Sequence, residues 1–151
     1  MDEQTGKPVN ILLVDDNEFQ ADVVTQALRE QHEAINIHYV KDGRQALDYL
    51  FHRGAFTDTV RYPLPHLVLL DLRIPYVDGL EVLKTIKESK DLLRIPVIIF
   101  TSSDADEDIR QAYGYHANSY IIKPVAFQDI IQFVDTLGPY WFRMNTGPAP
   151  E

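Results

Sequence analysis

The sequence predicts an α/β domain built on a doubly wound, five-stranded parallel sheet. Three observations carry that prediction. Short apolar runs recur without alternation, as strands buried on both faces require. Segments with apolar residues at helical spacing lie between them. The two kinds of segment alternate in the order βαβαβαβαβα, which a sheet covered by helices on both faces demands.

The elements follow in order. Ile11-Leu12-Leu13-Val14 is the first strand, and Phe19, Val23, Val24, Ala27 and Leu28 mark the helix after it. Ile35 to Val40 is a weaker strand in which Ile35, Ile37 and Tyr39 alternate with polar neighbours, the pattern of a sheet edge. Ala46, Leu47, Leu50 and Phe51 define the second helix. The connection from His52 to His66 holds Pro63 and Pro65 and is longer than most helix-to-strand loops. Leu67-Val68-Leu69-Leu70 is the third strand; Asp78-Gly79 opens a helix with Leu80, Leu83 and Ile86 on one face. Val97-Ile98-Ile99-Phe100 follows, then a helix that Asp104 is expected to cap, with Glu107 completing a capping box. Tyr120-Ile121-Ile122 is the last strand. Ile130, Ile131, Val134 and Leu137 line the last helix, which Gly138 and Pro139 are expected to stop. The divisions are a tail over 1–8, one domain over 9–138, and an aromatic extension with a disordered end over 139–151.

Bulk properties narrow the function. The chain has 151 residues, enough for one good core. Its 23 acidic and 14 basic residues give a net charge of -9, which disfavours binding to nucleic acid through phosphate neutralisation. With no Cys, a disulfide, a thiolate nucleophile and a Cys-ligated metal are excluded. The start, Met1-Asp2-Glu3-Gln4, lacks the basic and apolar segments of a signal peptide, and no apolar stretch matches a bilayer span. A cytoplasmic protein without membrane or nucleic-acid partners is expected.

The chemistry collects at one rim. In open α/β sheets ligands bind beyond the carboxyl ends of the strands. The first run ends in Asp15-Asp16, the third in Asp71, the fourth in Thr101 and the fifth in Lys123. Taken singly, each could be a turn or cap residue facing water. Together they set three carboxylates, a hydroxyl and an ammonium on the same edge. Carboxylates about 5 Å apart repel by roughly 3 kcal/mol per pair at an effective dielectric near 20. Such a set requires a cation, and its oxygen-only ligands suit Mg²⁺ beside a phosphate. With charge so balanced, one carboxylate can attack a phosphoryl group.

From about Asn10 to Leu137 the sequence resembles the receiver domain of response regulators in two-component signalling. The matching signatures are Leu13-Val14-Asp15-Asp16, Leu70-Asp71-Leu72-Arg73-Ile74-Pro75 with Asp78-Gly79, Phe100-Thr101-Ser102, and Ile122-Lys123-Pro124. The resemblance implies a flavodoxin-like (βα)5 receiver fold with strand order 2-1-3-4-5. It implies Asp71 as phosphoacceptor, and Mg²⁺ held by Asp16, by Asp15 through water, by Asp71 and by the backbone carbonyl of Arg73. It implies Lys123 on a phosphoryl oxygen, a bond to Pro124 that is often cis, and Thr101 with Tyr120 as the switch pair. A sensor histidine kinase is the implied donor. The domain is then a signalling protein that catalyses only its own phosphorylation and dephosphorylation. The long connection and Tyr140-Trp141-Phe142 resemble a narrower group, the single-domain regulators paired with bacterial phytochrome kinases. In this reading those three aromatics form a homodimer interface, and the output is a protein–protein contact; an aromatic cap on the last helix is the plainer alternative.

Other readings fit less well. An aspartyl-phosphate phosphohydrolase usually needs a second Asp two residues after the nucleophile, where this chain has Arg73. No Gly-rich phosphate loop follows the first strand. A phosphorylation-independent adaptor would leave the complete rim unused. Arg73 and Ser103 occupy positions that influence dephosphorylation in the family. His32, His38, His52, His66 and His116 show no ligand spacing and are expected at the surface.

Overall fold

The computed structural model describes residues 8–31, 34–141 and 146. Its strands are β1 (Val9–Val14), β2 (Ile35–Val40), β3 (Leu67–Leu70), β4 (Val97–Thr101) and β5 (Ser119–Ile122). The helices are α1 (Glu18–Gln31), α2 (Gly43–Leu50), α3 (Gly79–Glu88), α4 (Asp106–Gly114) and α5 (Phe127–Pro139). All strand pairs are parallel, in the order β2-β1-β3-β4-β5.

The period-two alternation of each central strand divides the core in two. Leu12, Val14, Val68, Leu70, Val97 and Ile99 face α2, α3 and the α4 side. Ile11, Leu13, Leu67, Leu69, Ile98 and Phe100 face α1 and α5. Both faces of β1, β3 and β4 are therefore dry, which is why those runs are continuously apolar. The fifth run departs from that expectation. β5 is an edge strand, its residues are only partly buried, and Ile122 is 47% exposed.

Register then places the chemistry. Val14 pairs with Leu70, so Asp15 and Asp71 leave the sheet side by side. Thr101 pairs with Ile122, and the Lys123 N–H donates to the Thr101 carbonyl at 2.7 Å. Asp78 caps α3 as its position predicts, accepting the Leu80 N–H at 3.1 Å.

Three local expectations are corrected. Asp104 does not cap α4: Ala105 holds the cap position, and the Ser103 hydroxyl oxygen accepts the Ala105 N–H at 3.3 Å. Glu107 turns along the helix to Arg110 and Gln111 rather than back to the cap. Gly138 and Pro139 do not stop α5, and Tyr140 and Trp141 continue it in a wider turn. Gly138 is instead a contact point, because a Cβ there would lie 2.9 Å from Gln31 Cγ on α1. The Lys123–Pro124 bond is trans, as are all described peptide bonds.

The long connection is ordered by rings. Tyr49, Phe56 and Tyr62 pack mutually with centroids 5.0–5.8 Å apart, and the Tyr49 hydroxyl donates to the Pro63 carbonyl at 2.8 Å. This cluster draws in His38, while His52 Nε2 bonds the Tyr62 carbonyl. His66 Nδ1 accepts the Asn10 N–H at 3.0 Å. These three histidines are partly buried structural groups rather than the surface residues expected; His116 is exposed, and His32 lies outside the described residues.

Candidate functional site

The carboxyl ends of β1, β3 and β5 meet around one cavity of about 390 Å³. Each of Asp15, Asp16 and Asp71 offers an oxygen within 4.8 Å of the other two. Asp15 and Asp71 are buried, and Asp16 stands at the mouth. Lys123 Nζ reaches between them, 2.8 Å from Asp15 Oδ2 and 3.0 Å from Asp71 Oδ2. Three carboxylates against one ammonium leave two negative charges. A divalent cation with hard oxygen preference fits that remainder and that donor set.

The pKa shifts express the same balance. Burial pushes the Asp15 carboxyl up, against the Lys123 ammonium and the Asn17 N–H that donates to Asp15 Oδ1 at 2.9 Å. Burial alone would pull Lys123 down, but its bonds and charge contacts with Asp15 and Asp71 hold it above the ordinary lysine value. Lys123 is thus a fixed cation. On the adjoining strand, Tyr39 has a buried hydroxyl with no hydrogen-bond partner among the described residues. Burial, followed by the charges of Asp15, Glu18, Asp16 and Asp22, pushes it up to about 12. The rim carries a strong negative field.

The remaining site residues stand further out. Thr101 is fully buried, and its hydroxyl oxygen accepts the Ser103 N–H at 3.5 Å; Ser102, not Thr101, lines the cavity at this strand end. Tyr120 is partly buried and donates to the Ser103 carbonyl at 2.9 Å. The Arg73 N–H donates to Asp71 Oδ1 at 3.3 Å, so the backbone after Asp71 curls back over its carboxylate. Far from these groups, Tyr140 is 53% exposed while Trp141 packs against the α1–α5 core. That contact matches the cap alternative for Trp141; Phe142 lies outside the described residues.

Two site residues escape sequence reasoning. Gln20 Oε1 accepts from Lys123 Nζ at 2.9 Å, and only its place in the first turn after the acidic pair hints at this. Asp108 is buried and binds both the Arg73 guanidinium and the Ser103 hydroxyl, the latter at 2.5 Å. In sequence it is one of three consecutive acids that favour a helix start.

A bigger cavity of about 630 Å³ lies at the opposite end of the sheet, against Leu50, Phe51, His52, Pro63 and Leu92. It brings together no comparable set of charges.

The response regulator receiver domain model matches residues 11–135. The chain belongs to the response regulator receiver domain family. Among curated proteins, this receiver is 44% identical over 144 residues to the "Probable methanogenesis regulatory protein FilR2" of Methanothrix harundinacea, covering 95% of this chain and 90% of that one. It is 34% identical over 152 residues to the response regulator Rcp1 of Synechocystis, covering 99% of each. The crystal structure of Mn²⁺-bound Rcp1 superposes with a TM-score of 0.88 over 94% of this chain and all of that one. The phosphorylated cyanobacterial phytochrome response regulator RcpA gives 0.89 at 33% identity, over 94% and 99% of the two chains.

Proposed function

We propose that this receiver accepts a phosphoryl group on Asp71 from a sensor histidine kinase, in a Mg²⁺-dependent reaction, and signals by a switch read through protein contacts. The observation that carries the proposal is the placement of Lys123 Nζ between Asp15 and Asp71, with the oxygens of three carboxylates within 4.8 Å. Only an incoming centre rich in negative oxygen, together with a divalent cation, makes full use of that arrangement.

In this reading Asp16, Asp71 and the Arg73 carbonyl would hold the ion, with Asp15 acting through water. Bound Mg²⁺ supplies the positive charge that lets an anionic phosphoryl approach a carboxylate. An oxygen of Asp71 bonds to phosphorus as the P–N bond of the donor phosphohistidine breaks, and the imidazole leaves with the electron pair. Lys123 binds a phosphoryl oxygen, and its raised pKa keeps it charged for that task. Thr101 donates its hydroxyl to the acyl phosphate, and Tyr120 turns into the space that Thr101 leaves. The unit responsible is the segment over 9–138. It catalyses only its own modification, and an ATP-charged kinase as donor places it in the cytoplasm.

A phytochrome kinase is the donor class that the likeness to the phytochrome response regulator RcpA supports. The higher identity to FilR2 favours a second reading, a histidine kinase with another sensor. Phosphotransfer profiling against purified kinases of both kinds tests this. The expected result is rapid labelling of wild type by one class and none of Asp71→Asn. Equal labelling of both proteins removes Asp71 as acceptor.

A further inference from the structure

The Arg73 side chain is built into a chain of contacts that the phosphoacceptor chemistry does not use. Arg73, two residues after Asp71, lines the cavity, and its guanidinium binds Asp108 on α4. Asp108 accepts the Ser103 hydroxyl at 2.5 Å, and the Ser103 carbonyl accepts the Tyr120 hydroxyl at 2.9 Å. The Ser103 N–H meets Thr101 Oγ1 at 3.5 Å. One continuous path therefore runs from the loop behind Asp71 through Asp108 to the loop behind Thr101 and on to Tyr120. Asp78 also faces the guanidinium, but at 3.9 Å and half-exposed it is a loose partner.

We infer that Asp108 is a positioning residue, and that its ion pair with Arg73 is a latch that a phosphoryl group on Asp71 opens. The inference rests on the proposed function above. An acyl phosphate carries about two negative charges where the Asp71 carboxylate carried one, in the cavity that Arg73 lines. Asp108 offers one, already shared with Ser103. Arginine binds phosphate oxygens as readily as carboxylate, in the same planar fork. When the guanidinium turns inward, the buried Asp108 loses its cation and is left with Ser103 alone. A buried carboxylate without its counter-charge is costly, so Asp108 and the loop carrying Ser103 move toward water. That movement withdraws the carbonyl that holds Tyr120. The latch thus couples site occupancy to Tyr120 by a route parallel to the Thr101 hydroxyl. It also sets affinity, because Arg73 cannot serve the phosphoryl without leaving Asp108.

The test is a double-mutant cycle read by Mg²⁺-dependent binding of beryllofluoride, a phosphoryl mimic. Asp108→Asn keeps the shape and the Ser103 bond but frees Arg73, so half-saturation falls by about fivefold. Arg73→Gln raises it, and the double variant matches Arg73→Gln, because Asp108 acts only through Arg73. Asp108→Glu restores the wild-type value. A ¹⁹F label at Tyr120 supplies a second readout: in Arg73→Gln without fluoride, where Asp108 stays charged and has lost its cation, the resonance moves toward the saturated position. Wild type that binds while Asp108→Asn shows no gain, or a gain that persists without Arg73, overturns the latch alone. Wild type that fails to bind overturns the phosphoacceptor reading, and the latch with it.

Discussion

At the residue scale the site trades stability for charge. Asp15, Asp16 and Asp71 share a small volume with a single ammonium, and the unbalanced repulsion is a standing cost in the ion-free protein. Asp16 is the most exposed of the three, so its neutralisation relieves charge without opening a cavity. Asp16→Asn is expected to raise ion-free stability by about 1 kcal/mol in urea titrations. The same change should weaken Mg²⁺ binding by more than about tenfold in a calorimetric titration. Stability and affinity falling together would show that Asp16 plays a structural part instead. The acidic pair, Asp71 and Lys123 were legible because each directly follows an apolar run and the sheet rule sends strand ends to one rim. Gln20 and Asp108 were not. Their partners, Lys123 and Arg73, lie 103 and 35 residues away, and one sequence carries no sign of such pairings.

At the element scale, two glycines aim the backbone behind Asp71. A Cβ on Gly79 would stand 2.4 Å from the Asp71 carbonyl oxygen and 2.5 Å from Leu72 Cα. One on Gly43 would stand 1.9 Å from the Val77 carbonyl oxygen, across the gap between α2 and the loop after β3. Both neighbours are main chain and cannot swing aside. Gly79→Ala is therefore expected to cost about 3 kcal/mol of stability and to displace the curl that brings the Arg73 N–H to Asp71. Chemical denaturation measures the first effect and Mg²⁺ affinity the second; a loss under about 1 kcal/mol would mean that the backbone has room to shift. The strands and helices themselves were readable from period and run length. The termini of α4 and α5 were not, because Ser103 takes over the capping of one and contact with Gln31 carries the other past Gly138.

At the scale of the molecule, the sheet order brings strand ends that are distant in sequence to one side, and the other end carries a separate aromatic construction. Trp141 is partly committed to the α1–α5 core, whereas Tyr140 is open. If the aromatic extension joins two copies, Tyr140→Ala should lower the solution mass by light scattering without changing the melting temperature, and Trp141→Ala should lower both. A mass unaffected by either leaves these aromatics as a cap. The whole account turns on Asp71 as the atom-level acceptor. The most direct measurement is peptide mapping by mass spectrometry, after treatment with acetyl phosphate and Mg²⁺ and reductive trapping of the acyl phosphate. The predicted result is a single trapped site at Asp71, absent without Mg²⁺ and absent in Lys123→Met. Trapping at another residue, or an unmodified Asp71 under conditions that fully load a known receiver, would contradict it.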